Sequence, residues 1–368
     1  MKTGKVLCAA LIVLCNFCLT AQEPAEVARD STAFMQKIAK DVYVIIHEHA
    51  TDEWPHGNTG VIVGEHDVLV VDACYLPSRA RADIRMIRSV TKKPVKYLGI
   101  THWHMDHNNG IVAYVDSFPG IQIISERKSA NYIALNSSWW ARSSSAENSA
   151  RQNAIKELER ELAAGKDTSG TIFSAAEIIK RKKIIDQRKN ELRELSALKV
   201  IRPNKLFDSE MKIQLGNREV VIRDWGKANS VHDVTFYLPK EKIIFAGDII
   251  VQIPIPFTFE SWPVNWIETI RQVEKLPLTM IVPGHGPVLN DLSYTKLLRD
   301  FFGAAIEKVK KGLADGLTLN QLKASADFSE FRKGVWQRSA EAPDEDWEAI
   351  TTALIERAWR CVRGQGAE

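Results

Sequence analysis

Between residues 41 and 73 the apolar positions fall in three short runs, "DVYVIIHE", "NTGVIVG" and "HDVLVVDA", each of strand length. Gly57, Gly60 and Gly64, together with "EHD", supply the turns between them. The period then lengthens: Ile84, Ile87 and Val90 in "LPSRARADIRMIRSVT" recur at helical spacing. "VKYLGI" reads as the next strand, "IVAYVDSFP" as a helix and "IQIIS" as a strand. Residues 137–198 are charged and helical throughout, with an apolar stripe at Ile155, Leu158 and Leu162 that Gly165 and Gly170 interrupt. "SSAE" (Ser144 to Glu147) and "SAAE" (Ser174 to Glu177) fit capping boxes, the second with Phe173 and Ile178 placed as a hydrophobic staple. This stretch is a helical hairpin inserted between strands. Strands resume at "MKIQL", "REVVIRDW", "DVTFYLP" and "KIIFAGD", followed by a helix near "NWIETIRQVEKL" and a strand in "TMIVPGHG".

From Ser293 the pattern is again helical, and no internal repeat is present. Two strand-rich halves with helices interspersed predict an α/β protein of two sheets packed together with helices outside. The expected divisions are a signal segment at 1–21, a main domain at 30–292 carrying the 137–198 insertion, and a helical C-terminal extension at 293–368.

Composition narrows the class. At 45% hydrophobic and 26% charged residues the chain can bury a sizeable core. Lys and Arg number 49 against 46 acids, and removal of residues 1–21 takes Lys2 and Lys5, leaving 47 against 46. That balance gives no general affinity for nucleic acid or acidic membranes. Lys2 and Lys5 precede an apolar run from Val6 to Leu19, the build of a secretory signal cleaved after Ala21 and too short for a comfortable membrane span. An exported protein without a stable membrane span is the expectation. Three of the five cysteines lie in that segment; Cys74 and Cys361 alone make no disulfide framework.

Three of the nine histidines stand in one short loop, "THWHMDHNNG". His102 and His104, two apart in an extended chain, present their rings to one point, while Asp106 and His107 face a neighbouring one. Imidazole and carboxylate are zinc ligand types, and zinc takes about four of them, so further donors must come from elsewhere. Candidates stand at strand ends: His232 before "DVTFYLP", Asp248 closing "KIIFAGD" and His285 between two glycines in "PGHG". Asp248 is an anion able to bridge two cations about 3.5–4 Å apart.

This ordered set, H-x-H-x-D-H after a strand followed by His232, Asp248 and His285, resembles the metallo-β-lactamase superfamily over roughly residues 40–290. The resemblance implies a four-layer αββα sandwich and two Zn²⁺ per chain, with iron or manganese as alternatives. It places His102, His104 and His232 on the first metal, Asp106, His107 and His285 on the second, and Asp248 between them. It further implies hydrolysis by a hydroxide shared between the metals, with Asp106 as the catalytic residue that orients the nucleophile and moves its proton. Asp248 in the bridging place is similar to the glyoxalase II-like branches. The expected substrate is a small molecule with an ester, thioester, lactone or amide bond. A β-lactamase and a mononuclear iron, persulfide dioxygenase-like oxidoreductase are the alternatives.

Other features have modest readings. Asp72 is expected to buttress the metal loop by hydrogen bonds rather than bind metal. His47, His49, His56 and His66 lie in hairpin or turn contexts and are left out of the site. Trp54 is placed for a flap; Phe257, Phe259, Trp262 and Trp266 divide between pocket and core; Arg223 and Lys227 are candidates for a substrate carboxylate. The hairpin and the tail helices offer surfaces for oligomerisation.

Overall fold

The computed structural model describes residues 24–47, 56–140, 146–252, 256, 258–335 and 344–365. Trp54, His49, Phe257, the signal segment and the first capping box fall outside the described residues or their described side chains.

The first sheet contains β1 (Ala25–Arg29), β2 (Ala33–Ala39), β3 (Val42–His47), β4 (Thr59–Val63) and β5 (Val68–Val71), joined antiparallel in chain order. Helix α1 (Pro77–Val90) then crosses over to β6 (Val95–Gly99), and the sheet continues parallel. The short α2 (Met105–Asn108) and α3 (Ile111–Ser117) lead to β7 (Gln122–Glu126), and α4 (Arg127–Trp140), α5 (Ala146–Ala164) and α6 (Ala175–Ser196) precede β8 (Lys205–Phe207).

The second sheet holds β9 (Glu210–Gln214), β10 (Glu219–Asp224), β11 (Val234–Leu238) and β12 (Ile243–Gly247), all antiparallel. Helix α7 (Pro263–Glu274) returns the chain to β13 (Met280–Pro283), which pairs parallel with β12. The chain then runs through α8 (Ser293–Ala314), α9 (Leu319–Ser325), α10 (Ser329–Val335) and α11 (Asp344–Val362).

Strands β4 and β5 are buried along their whole length, which explains their unbroken apolar runs. Three apolar clusters fill the spaces between layers. Val44, Ile62, Leu69, Phe236 and Phe245 pack between the two sheets. Ile84, Ile87, Ala113 and Tyr114 join Val61, Val70 and Leu98 on the outer face of the first sheet. Ile244 and Ile281 meet Trp266, Leu298, Phe301, Leu354 and Ile355 on the outer face of the second. The order is helix, sheet, sheet, helix, as expected.

Three boundaries differ from the sequence reading. β1 and β2 precede residue 41, so the sheet begins at Ala25 rather than 30; β1 is mostly exposed and carries little apolar signal. The insertion's helices start at Arg127 with α4, and α5 and α6 form the hairpin. Residues beyond 293 are not an appended unit: α8 and α11 share one apolar cluster with β12 and α7, and the Tyr294 hydroxyl donates to Val251 O at 2.9 Å.

The hairpin is moored through α6. Ser174 caps that helix by accepting the Glu177 N–H, while Phe173 takes the Arg181 guanidinium on its ring at 3.8 Å. Tyr75 donates to Glu191 at 2.7 Å, the Ser78 N–H donates to Glu194 at 2.7 Å, and Leu195 and Leu198 pack with Tyr75 and Leu76 against Met105 and Val112. The insertion thus rests on the flank of the histidine-rich loop. Among the described residues no helix is long and apolar enough to cross a membrane.

Candidate metal centre

Four strand ends meet at one edge of the sandwich. β6 delivers the chain to Thr101 and the histidine loop, and α2 turns Asp106 and His107 inward. β12 and β13 run parallel, so Asp248 and His285, one just past each strand, reach the same edge; the Gly284 N–H donates to Gly247 O at 2.9 Å. A Cβ on Gly284 would collide with Asp248 Oδ1, so glycine is required for that approach. Asn58, after the β3–β4 connection, donates from Nδ2 to Pro283 O at 2.9 Å and Gly286 O at 2.8 Å, pinning the His285 loop.

The donor atoms fall into two overlapping groups: His102, His107 and Asp248, and Asp106, His107 and His285. His102 Nε2 lies 3.0 Å from His104 Nδ1. His107 Nε2 lies 3.1 Å from His285 Nε2, which is 3.0 Å from Asp106 Oδ2. Asp248, a member of the first group, also reaches the second: its Oδ2 lies 3.8 Å from His102 Nε2, and its Oδ1 lies 3.3 Å from His107 Nε2 and 3.6 Å from His285 Nε2.

Surrounding groups fix these rings. Asp72, in a left-handed conformation (φ 63°), accepts the Thr101 N–H and hydroxyl at 2.8 Å each, and its Oδ2 lies 2.8 Å from His107 Nδ1. That is the buttress expected from the sequence. Thr101 Oγ1 stands 3.0 Å from His102 Nδ1, and Glu260 lies 3.5 Å from His104 Nε2. In His102 and His107 the ring nitrogen turned away from the donor groups meets an oxygen, which selects a tautomer and an orientation.

Electrostatics divide the histidines. Burial, then the neighbouring His107 and His104, hold His102 well below the usual imidazole value. Burial would do the same to His107, but Asp248, Asp106 and Asp72 raise it well above. Three carboxylates around one ring are a field that favours positive charge. Burial opposes ionisation of Asp106, yet His107 and His285 hold it well below the ordinary carboxylate range, so it is an anion at neutral pH.

His232 does not join its expected companions among the described contacts. Its Nδ1 lies 2.9 Å from Asp224 Oδ2 and 3.8 Å from Glu126 Oε2, and its side chain is 18% exposed. Successive residues of an extended chain face opposite ways, and the next residue, Asp233, is the one held inside. Asp233 is buried; its Oδ2 accepts the Ser230 N–H at 2.8 Å, and its buried Oδ1 has no hydrogen-bond partner. Burial pushes the Asp233 carboxyl up to about 7, with His104 and Asp248 close enough to act on it. Asp233, Asn58 and Glu260 escaped the sequence reading because no residue-type pattern distinguishes them, and Gly57 was read only as a turn residue; Asp233 stood beside His232 in "SVHDV".

The other candidates are now placed. Trp266 is a core residue, packed on Phe302 with its indole N–H donated to Ile249 O at 2.8 Å. Trp262 is buried with Lys227 and Arg357 over its ring, and Phe259 is 46% exposed. Arg223 pairs with Glu210. His56 accepts the Tyr75 N–H, and His66 is exposed.

Two observations show that the residues fit a metal. The donor groups gather nitrogen and oxygen lone pairs within 4.8 Å of one another, and the buried Asp248 Oδ1 has no hydrogen-bond partner. Imidazole with carboxylate is a zinc donor set. A two-sheet sandwich with such a centre at its strand ends defines a class of metal-dependent hydrolase-like folds. The family model described as the metallo-beta-lactamase superfamily matches residues 52–285, and the chain belongs to that superfamily.

Solved structures agree on the fold. The stereoselective inverting sec-alkylsulfatase Pisa1 from Pseudomonas sp. is similar with a TM-score of 0.62 at 14% identity, over 91% of this chain and 51% of that one. The chain therefore spans about half the length of that protein. VMB-1 is similar with a TM-score of 0.50 at 15% identity, over 74% of this chain and 97% of that one.

Proposed function

We propose that this chain is an exported, zinc-dependent hydrolase that cleaves an ester, thioester, lactone or amide bond of a small molecule. The observation that carries the reading is Asp248, whose Oδ2 faces His102 of one donor group at 3.8 Å while its Oδ1 lies 3.6 Å from His285 of the other. His102, His104 and the Asp233 side of the cleft would hold one ion, and Asp106, His107 and His285 a second. A pair of divalent ions there supplies an acidified water and neutralises charge developing on the scissile group.

The chain's own groups do the rest. Asp106, kept ionised by His107 and His285, orients the attacking water and accepts its proton. Asp72 and Thr101 hold the rings of His107 and His102 in place, so the donor geometry is set before substrate arrives. Export rests on the basic and apolar segment at 1–21.

The test is metal analysis of the purified chain beside a panel of nitrocefin, thioester, lactone, carboxylic ester and secondary alkyl sulfate substrates. The sulfate is included because a fold relative over most of this chain is a sec-alkylsulfatase. Close to two zinc ions at this centre, with hydrolysis lost on chelation, supports the proposal. One iron per chain with oxygen uptake overturns it in favour of a persulfide dioxygenase-like oxidoreductase. Nitrocefin turnover exceeding all others selects the β-lactamase alternative.

A further inference from the structure

Behind the histidine loop, His47 at the end of β3, Cys74 after β5 and Asp83 in α1 bring a nitrogen, a sulfur and a carboxylate within 4.8 Å of one another. All three side chains are buried. Asp83 Oδ2 lies 3.2 Å from His47 Nε2, 3.5 Å from Cys74 Sγ and 3.3 Å from Thr59 Oγ1.

The His47 ring poses a bonding problem. Its Nδ1 lies 2.8 Å from Gly57 O, a group that only accepts, so Nδ1 carries a proton. A neutral ring then turns the bare lone pair of Nε2 toward Asp83, whose two oxygens both lie at 3.2 Å. Two acceptors facing one another in a buried site repel, unless a second proton or a cation stands between them.

We infer that His47, Cys74 and Asp83 form a separate, closed zinc site, with the Thr59 hydroxyl offering a fourth ligand. Tetrahedral zinc would separate nitrogen from oxygen by about 3.4 Å and oxygen from sulfur by about 3.6 Å, given its ordinary bond lengths. The observed 3.2 and 3.5 Å match that spacing. Thiolate with imidazole and carboxylate is a zinc donor set, and the thiol loses its proton on binding. Charge also balances: Asp30, Asp83 and the Cys74 thiolate oppose the Arg79 guanidinium and one divalent ion. Arg79 binds Asp83 Oδ1 at 3.0 Å and Asp30 Oδ2 at 2.7 Å, which leaves Asp83 Oδ2 to the metal.

The site braces the catalytic loop. Cys74 O accepts the Gly110 N–H at 3.1 Å, the adjacent Ala73 N–H donates to His107 O at 2.8 Å, and Gly57, held by His47, donates to Asp106 O at 3.1 Å. The inference is independent of the hydrolase reading, because the donor groups around Asp248 contain no sulfur.

The test uses the full chain with Cys8, Cys15, Cys18 and Cys361 replaced by serine, so that Cys74 is its sole thiol. The protein is stripped with chelator and titrated with Co²⁺ without oxygen. A thiolate-to-cobalt charge-transfer band in the near ultraviolet is expected, with one ion more per chain by native mass spectrometry than the same chain carrying Cys74→Ser. A folded sole-thiol chain that binds Co²⁺ without this band overturns the site. So does an unchanged ion count on Cys74→Ser. Should Cys74→Ser fail to fold, the band in the sole-thiol chain decides alone.

Discussion

Asp248 presents its two oxygens to different histidines, Oδ2 to His102 at 3.8 Å and Oδ1 to His107 at 3.3 Å. A carboxylate so placed links the two donor groups, and its loss should be felt by both. Asp248→Ala is expected to lower hydrolytic activity by at least about 100-fold, the upper end of what loss of a supporting partner produces. Activity should fall further than zinc retained at the His102 side; an unchanged rate in metal-replete buffer removes the linking role. Calorimetric zinc titration beside steady-state kinetics makes the comparison.

Asp233 and His232 offer a second separation. Asp233 lies inside the cleft with an unbonded oxygen, whereas His232 is turned to Asp224. Asp233→Ala should weaken zinc binding by about 10- to 100-fold, and His232→Ala should leave zinc content intact. The reverse pattern, read by mass spectrometry of the dialysed proteins, would return His232 to the first metal.

Gly57→Ala tests the floor of the centre. A Cβ there would lie 2.5 Å from His107 Cε1, and the ring cannot retreat without breaking its contact to Asp72. Overpacking of this kind costs about 1–3 kcal/mol. Here much of that cost should appear as lost metal affinity, so the variant's thermal midpoint should differ more with zinc present than after chelation. Equal shifts in both states would mean that the strain is absorbed elsewhere.

Acid stability should depend on Asp30. Partial burial opposes its ionisation, but Arg79 and the Thr32 and Ala33 N–H groups hold its carboxyl well below the usual range. A depressed pKa in the folded state stabilises fully above the unfolded value of about 3.9 and loses that contribution as pH falls through the folded value. Asp30→Asn should therefore lower the melting temperature near neutrality, and the gap to the parent should shrink steadily below about pH 4. A gap that stays constant into acid would show that the charge is not the cause.

Much of this was legible in the chain because strand ends and metal donors leave strong marks. The runs that became β3 to β7 and β9 to β13 were readable from buried apolar residues, and the histidine loop from residue type alone. What escaped was set by neighbours distant in sequence. β1 has no buried position, and β8 is three residues long, so neither carries a period to read. His232 was chosen for its place before an apolar strand in the ordered set of ligands, yet which of two adjacent residues faces inward depends on the hydrogen bonds from Trp225 N to Asp233 O and from Val234 N to Thr101 O. Gly57 matters only because His107, fifty residues later, rests upon it. The last helices resembled a tail because their partners on β12 and β13 lie far back in the chain.

Those last helices impose a timetable. Asp248 and His285 hang from two strands whose outer face is covered by α7, α8 and α11, so the cover of that face is incomplete until the final helix has been made. The histidine loop can take shape early, but the other wall of the cleft waits for residues 344–362. Loading of the ions is therefore expected to be one of the last events in the birth of this molecule. A chain stopped after residue 335 should emerge greasy and poor in zinc although every expected ligand is present, and its metal content on purification would reveal whether that order holds.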